Sequence, residues 1–419
     1  MEATIPAARS QGLWQWSAFG AMLNAAGLPI YLHAPKFYVD TYGVSLATLG
    51  AVLAGLRLID VVQDPALGWL AGVTRRYTGV LVVVAAAMMA LSMLGLFAVA
   101  PPIAPIWWFA LTLTTLFTAF SYLTIVFYAS GVARAATLGS NGHLRLAGWR
   151  ETGGLIGVCV AAVAPTALIQ IMPNPYTGFA LGFAAFAAIA VICMRHEWGH
   201  APDTPALGLS SFGVALRDGP ARNLLLVALF NGAPVAVTST LFLYFVESRL
   251  AAPGYEGPFL LLFFLSAALS SFAWAKLAQA YGAKRVLLVA MALSIVTFIF
   301  AALLGAGDLA AFAAICIASG TALGADMTLL PAIFARRLSA LQSKGGEAVA
   351  FGLWSFVSKL SLAIAAGTLL PILAAYGFKS GQANSASALQ TLTVLYALVP
   401  CGLKFVAMAV LAATPTPES

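Results

Sequence analysis

Long apolar runs dominate the chain, and short polar turns carrying Gly, Pro or basic residues interrupt them. A helical run of roughly 20 apolar residues matches the thickness of a bilayer's hydrocarbon core. Backbone polar groups find no water there, so each run is predicted to be a helix. The pattern predicts spans near 13–38, 44–73, 79–100, 105–135, 147–171 and 176–195. A polar stretch with Pro and Gly follows from His196 to about Arg222, and then come spans near 223–247, 257–280, 284–305, 308–335, 347–375 and 387–412. The expected architecture is an all-α integral membrane protein of 12 transmembrane helices. It divides into a six-helix bundle over 1–195, a linker over 196–222 and a second six-helix bundle over 223–419. The first apolar stretch is too long for a signal h-region and only Arg9 precedes it, so it is expected to remain as the first helix.

Composition sharpens this reading. Of 419 residues, 61% are hydrophobic and only 8% charged, against about 25% charged in soluble domains, so lipid is the expected solvent over most of the surface. The net charge of +7 does not point to nucleic acid, because the basic residues sit in loops. Arg9, Arg75, Arg76, Arg134, Arg145, Arg195, Arg217, Arg222, Lys284, Arg285, Arg336, Arg337 and Lys344 fall on one side, with little beyond Lys36, Arg249 and Lys379 on the other. The positive-inside bias places both termini and the linker in the cytoplasm of a multi-pass protein of the cell membrane, here the inner membrane of a bacterium. Cys159, Cys193, Cys316 and Cys401 lie inside apolar runs without metal-type spacing and read as reduced packing residues.

The halves echo each other. The second span ends in GWLAGVTRRYTG and the eighth in WAKLAQAYGAKR, each placing small residues and then a basic pair where a helix leaves the membrane. A repeat at corresponding positions suggests parallel repeats about an axis along the membrane normal, with a substrate site between them near the midplane.

Charges within the apolar runs are the candidate chemistry, since each costs roughly 2.5–3.5 kcal/mol at the bilayer centre. Arg57, Asp60 and Asp64 recur at i, i+3 and i+7 in the second span and share one helical face. Two carboxylates one turn apart repel, so one must hold a proton or both share a cation. The competing reading is a static Arg–Asp lock, which needs only one carboxylate. Arg150 with Glu151 opens the fifth span, where snorkelling to the interface is the alternative for Arg150. Lys359 sits deep in the eleventh span, placed either to bond a polar solute or to neutralise the carboxylates of the other half. Lys36, Asp326 and Lys404 read as interfacial or pairing residues. Tyr122, Phe127 and Tyr128 in the fourth span and Trp354 in the eleventh have faces that stack on sugar CH groups, although packing is the commoner use of such rings.

His196-Glu197-Trp198-Gly199-His200 matches H-E-x-x-H, a zinc-peptidase pattern that requires a continuous helix. Gly199 and Pro202 break the helix, and His33 and His143 supply no third ligand, so no metal site is expected. No Walker A loop is present, which excludes a built-in ATPase of that type.

The segment Asp60–Arg76, DVVQDPALGWLAGVTRR, resembles the helix-two signature of the glycoside–pentoside–hexuronide cation symporters of the major facilitator superfamily, the melibiose-permease-like group. That signature, D-x-x-x-D-P-x-x-G-W, is matched at Asp60, Asp64, Pro65, Gly68 and Trp69. SYLTIVFYASG is similar to the family's helix-four segment, RLAGWRETGGLIG to its helix-five arginine segment and SFVSKLSLAIAAG to its helix-eleven lysine segment. The resemblance implies a major facilitator fold in which Asp60 and Asp64 form the cation site. It also implies that Arg150, Tyr128, Ser355 and Lys359 line the sugar pocket. Melibiose permease carries acidic residues in helices one and four, where this sequence offers Asn24 for the solute and Thr124 for the cation. The acidic pattern usual after helix ten is replaced by Ala335-Arg336-Arg337. Two aspartates without further anionic ligands favour a proton over sodium.

The expected function is therefore symport of a sugar, glycoside or uronate by alternating access, not catalysis, with no cofactor beyond the coupling ion. Arg57 is expected to tune the pKa of the Asp60/Asp64 pair, and Trp354 to join the solute site. The expected partners are a small solute and membrane lipid, with the chain working as a monomer. A carrier of lipids, metabolites or drugs on the same scaffold, and a non-transporting assembly scaffold, are the rival readings.

Overall fold

The structure is a computed structural model and describes residues 12–44, 46–139, 141–168, 171–198, 216–341, 347–379 and 384–415. Within the helices a few side chains, among them those of Lys36 and Arg57, lie outside the described set. Every regular element among the described residues is helical.

The first predicted span is two helices, α1 (Leu13–Ala25) and α2 (Leu28–Tyr42). Gly27 leaves helical geometry at ψ −115° and Pro29 follows at the start of α2, where it has no N–H with which to continue the ladder. The first series continues with α3 (Leu46–Val73), α4 (Thr78–Phe97), α5 (Pro105–Ala136), α6 (Gly142–Leu168) and α7 (Pro175–Met194). After the linker come α8 (Gly219–Tyr244), α9 (Glu256–Tyr281), α10 (Ala283–Phe298), α11 (Leu309–Ala340), α12 (Glu347–Ala375), α13 (Ala386–Thr393) and α14 (Val399–Ala413). A π turn, Val394–Leu398, joins α13 to α14.

Among the described residues, eight helical stretches are long and apolar enough to cross a membrane: Arg75–Phe97, Pro105–Ala136, Pro175–Met194, Gly219–Arg249, Glu256–Tyr281, Ala283–Leu303, Leu309–Ala340 and Ala386–Ala413. The long helices α3, α6 and α12 carry the charges singled out above, and they pack centrally. In α3 the usual polarity is reversed: Leu58, Ile59 and Val62 face outward while Asp60 and Asp64 are buried. Lipid around the molecule makes that arrangement favourable, because the apolar face needs no water and the charges must avoid hydrocarbon.

Small residues set the close contacts, as expected where packing rather than water drives helix association. α1 lies against α6, and a Cβ at Gly157 would stand 2.2 Å from the Ala21 carbonyl oxygen. α3 runs along α12 with Gly68 facing Gly352, where a Cβ on Gly68 would lie 2.9 Å from the Gly352 Cα. α6 meets α9 at Gly148 and Ala275. The α3–α12 and α6–α9 contacts join the first series of helices to the second, and their glycine approaches lie toward the end of the molecule that carries the Arg75–Arg76 turn.

At that same end, Arg337 of α11 grips Asp218 in a two-point contact, Nε to Oδ1 at 2.9 Å and Nη2 to Oδ2 at 2.5 Å. Asp218 Oδ1 also accepts the Ala221 N–H and so caps α8. Arg337, one of the basic pair after the tenth span, thus finds an acidic partner before the seventh. Arg337 holds the Asp218 carboxyl below the usual carboxylate range, against the effect of partial burial and with help from the Ala221 amide.

Two outcomes follow for purified protein in detergent. Gly157→Val should abolish a folded population or lower the melting temperature by more than 10 °C, since overpacking a rigid contact costs about 1–3 kcal/mol or more. Gly182→Ala, which meets nothing within 4 Å, should change it by under 2 °C. Asp218→Asn keeps the cap but removes the ion pair and should cost about 1 kcal/mol at pH 7. Because the folded carboxyl is depressed, its contribution is complete above about pH 3.9, the unfolded value, and fades as pH falls through the lower folded value. The gap between variant and wild type should therefore close in acid; a gap independent of pH contradicts the ion pair.

Candidate functional site

Asp60 and Asp64 lie on the inward face of α3, one turn apart, where α5 and α12 converge. Lys359 of α12 reaches across the seam between the two helix series to meet them. Its Nζ stands 3.0 Å from both Asp64 oxygens and 3.8 Å from Asp60 Oδ1, and it donates to Ser121 Oγ of α5 at 2.6 Å. Ser355, one turn before Lys359, donates to Asp64 Oδ2 at 2.5 Å. Gln63 donates to Asp60 Oδ1 at 2.9 Å and accepts from Thr118 of α5 at 3.0 Å. The ammonium and the hydroxyls leave Asp64 fully enclosed. Lys359, open to two readings from sequence, neutralises the carboxylates. The side chain of Arg57 lies outside the described residues.

A second cluster sits along the same α5–α12 seam. Arg150 Nε donates to Glu151 Oε1 at 2.8 Å, and Tyr128 Oη donates to that same oxygen at 2.8 Å. The Arg150 guanidinium lies 3.8 Å from the centre of the Tyr128 ring, a close cation–π contact. Both charges are buried. α6 starts at Gly142 and not near 147, which carries Arg150 inside the helix, so Arg150 pairs within the protein and does not snorkel. Tyr128 in turn packs on Phe351 of α12, ring centres 5.3 Å apart. Phe351, Ser355 and Lys359 recur every four residues and line one face of α12, which connects the two clusters.

The remaining predicted residues are placed as follows. Thr124 lies between Ser121 and Tyr128 on α5, and its buried hydroxyl has no hydrogen-bond partner among the described residues. Asn24 donates to the Gly20 carbonyl at 3.1 Å and packs on Gly154 of α6. Trp354 stacks beside Phe334, ring centres 4.9 Å apart, and faces α11. Asp326 and Lys404 form a buried ion pair between α11 and α14, away from these clusters. Ser121, which accepts from the lysine, and Gln63 and Thr118, which bond in series to Asp60, were not singled out from sequence. Their only signal is shared faces, Gln63 at i+3 from Asp60 and Ser121 at seven residues before Tyr128.

The H-E-x-x-H segment has a packing role in the described part. Glu197 accepts from Trp16 Nε1 at 3.3 Å and pairs with Arg134 at 3.3 Å, while Trp198 packs against Phe19 and Trp16. His196 bonds Arg195, and His200 lies outside the described residues. Among the described residues no group of three His, Cys, Asp or Glu side chains is placed to hold a metal. Two turns along α3 from Asp64, a cavity of about 300 Å³ is lined by Gly72, Arg75, Ser130, Arg134, Trp198 and Glu347 among others.

Residues 15–418 match the family model described as MFS/sugar transport protein. No curated protein matches the sequence. Among solved structures, a bacterial homologue of the iron transporter ferroportin in an outward-facing state superposes with a TM-score of 0.72 at 13% identity, covering 96% of this chain and 98% of that one. The human organic anion transporter TETRAN gives 0.66 at 15% identity, with 95% and 97% covered. The E. coli fucose:proton symporter gives 0.64 at 14% identity, also with 95% and 97% covered. At these identities the likeness is one of fold.

Lys359→Met should leave Asp64 buried without its cation and cost about 3–5 kcal/mol. Adding Asp64→Asn removes the orphaned charge and should recover more than half of that loss. Thermal unfolding of the two single variants and the double variant decides the matter, and losses that simply add rule out the pairing.

Proposed function

Since the chain belongs to the MFS/sugar transport protein family, a family of multi-pass membrane transporters and not of enzymes, we propose that it is a proton-coupled symporter of a small polar solute of the sugar class. The observation that carries this reading is Lys359 of α12 lodged against Asp60 and Asp64 of α3. An ammonium supplied by one helix series occupies the carboxylates of the other, so the charge state of the carboxylates is linked to whether the two series are held together.

In the proposed cycle, twelve spans form two six-helix bundles, over 1–195 and 223–419, joined by a cytoplasmic linker with both termini on the same side. The α3–α12 and α6–α9 contacts seal the cytoplasmic end, and the 300 Å³ cavity lies on the path beyond that seal. A proton taken up by the Asp60/Asp64 group weakens its hold on Lys359, because a neutral carboxyl attracts the ammonium far less than a carboxylate does. With the solute bound, the bundles rock and the seam opens toward the cytoplasm. The fucose:proton symporter among the structural neighbours shares only the fold, and the coupling ion is inferred from the carboxylates alone. Two aspartates without further anionic ligands support a proton over sodium as that ion.

The test is uptake of a panel of radiolabelled sugars into proteoliposomes under an imposed pH gradient or an imposed sodium gradient. Accumulation should follow the pH gradient alone. Asp64→Asn should lose gradient-driven accumulation at least 100-fold while retaining solute exchange at equal concentrations on the two sides. Wild-type accumulation by Asp64→Asn under a pH gradient would overturn the mechanism. Binding of lysolipids with indifference to every sugar would favour a lipid carrier.

A further inference from the structure

We propose that Asp326 and Asn231 form a second proton-binding site, enclosed within the second helix series and separate from Asp60 and Asp64. The inference does not rest on the transport reading above, whose cycle leaves both residues unused.

Asp326, near the middle of α11, is joined to Lys404 of α14 in an ion pair, and both side chains are buried. The pairing uses one carboxylate oxygen, Oδ2. The other, Oδ1, is buried and has no hydrogen-bond partner among the described residues. Asn231 of α8 adjoins this carboxylate, and its own Oδ1 is likewise buried without a partner. A permanent ion pair leaves both acceptor oxygens shut away from any donor, with the desolvation of each uncompensated. The other one-to-one pair differs in this respect. Glu151 accepts from both Arg150 and Tyr128, and none of its buried oxygens lacks a partner.

One proton satisfies both oxygens. Bound at Asp326 Oδ1, it makes a hydroxyl that donates to the Asn231 oxygen, which the amide can present by turning over. Lys404 keeps its charge and then needs other acceptors. A cavity of about 50 Å³ beside the pair supplies them. Around it α8 contributes Thr238, α9 Phe263, α10 Ser294, α11 Ser319 and α14 Cys401, so Lys404 and the Cys401 thiol are the titratable groups facing Asp326 among the described residues. Thr238 and Ser319 donate to the Pro234 and Ile315 carbonyls at 3.0 and 2.6 Å, which leaves their lone pairs for an ammonium or a water. A polar cavity of this size accommodates water, and water can carry the proton to and from the carboxylate. Loading the site exchanges a tie by charge between α11 and α14 for a hydrogen bond between α11 and α8.

The test is an infrared difference titration of the purified full-length protein from about pH 9 to about pH 5, in which protonated carboxyls and carboxylates absorb separately. Wild type should gain a protonated-carboxyl component that is missing from Asp326→Asn and retained in Asp64→Asn. Asn231→Ala keeps the ion pair but removes the acceptor. It should move that component to higher frequency and its midpoint to lower pH by about half a pH unit or more. A difference spectrum of Asp326→Asn identical to that of wild type means that Asp326 stays ionised throughout, and overturns the proposal. Loss of the component in Asp64→Asn assigns it to the Asp60/Asp64 group instead, and overturns it equally. If Asp326→Asn does not fold, Asn231→Ala decides alone: an unmoved band with an unmoved midpoint overturns the site.

Discussion

Charge that is buried in hydrocarbon must be answered by opposite charge, and the interior of this protein is organised around that requirement. Three ionic groups sit deep in the helices: Lys359 with Asp60 and Asp64, Arg150 with Glu151, and Lys404 with Asp326. The last two are closed one-to-one pairs, each within a single helix series. The first spans the seam between the series and sets two carboxylates against one ammonium. It ties the two helix series together by charge. The glycine approach of α3 to α12 serves it, since a side chain at Gly68 or Gly352 would push the helices apart and lift Lys359 away from Asp64.

Much of this was legible in the sequence, for a physical reason. Hydrocarbon penalises charge so heavily that Asp60, Asp64, Arg150 and Lys359 stand out from apolar runs without any comparison, and helical spacing alone puts the two aspartates on one face. Run length located the helices to within a few residues. What failed to register was local or distant. The break between α1 and α2 depends on one glycine and one proline inside an otherwise continuous apolar run. The start of α6 at Gly142 was hidden by Arg145 and the polar residues around it, and that shift is what carries Arg150 inward to Glu151.

Pairings across the seam were the least legible part. Lys359 lies 295 residues from Asp64, and no spacing rule links residues on helices that meet only in the folded protein. Ser121 and Thr118 look like ordinary hydroxyls of an apolar helix until α12 brings an ammonium beside one and α3 brings a glutamine beside the other. Glu197 shows the converse: a motif with a familiar chemical meaning is, in its described part, an anchor for Trp16 and Arg134.

The interruption at Ala26–Gly27 has a mechanical consequence. α1 is fastened to α6 by backbone-close glycine contacts, whereas α2 is held by rings, the buried Tyr38 packing on Phe109 at 4.9 Å and Phe37 on Tyr176 at 4.9 Å and on Phe97 at 5.4 Å. Gly27 interrupts the helix between the two, so the direction of α2 is set at that point and not by α1. Its 15 residues extend about 22 Å, so a difference of about 15° in that direction displaces its far end by about 6 Å. The rings of α2, and not the glycine seam of α1 with α6, therefore fix where that end of the helix lies.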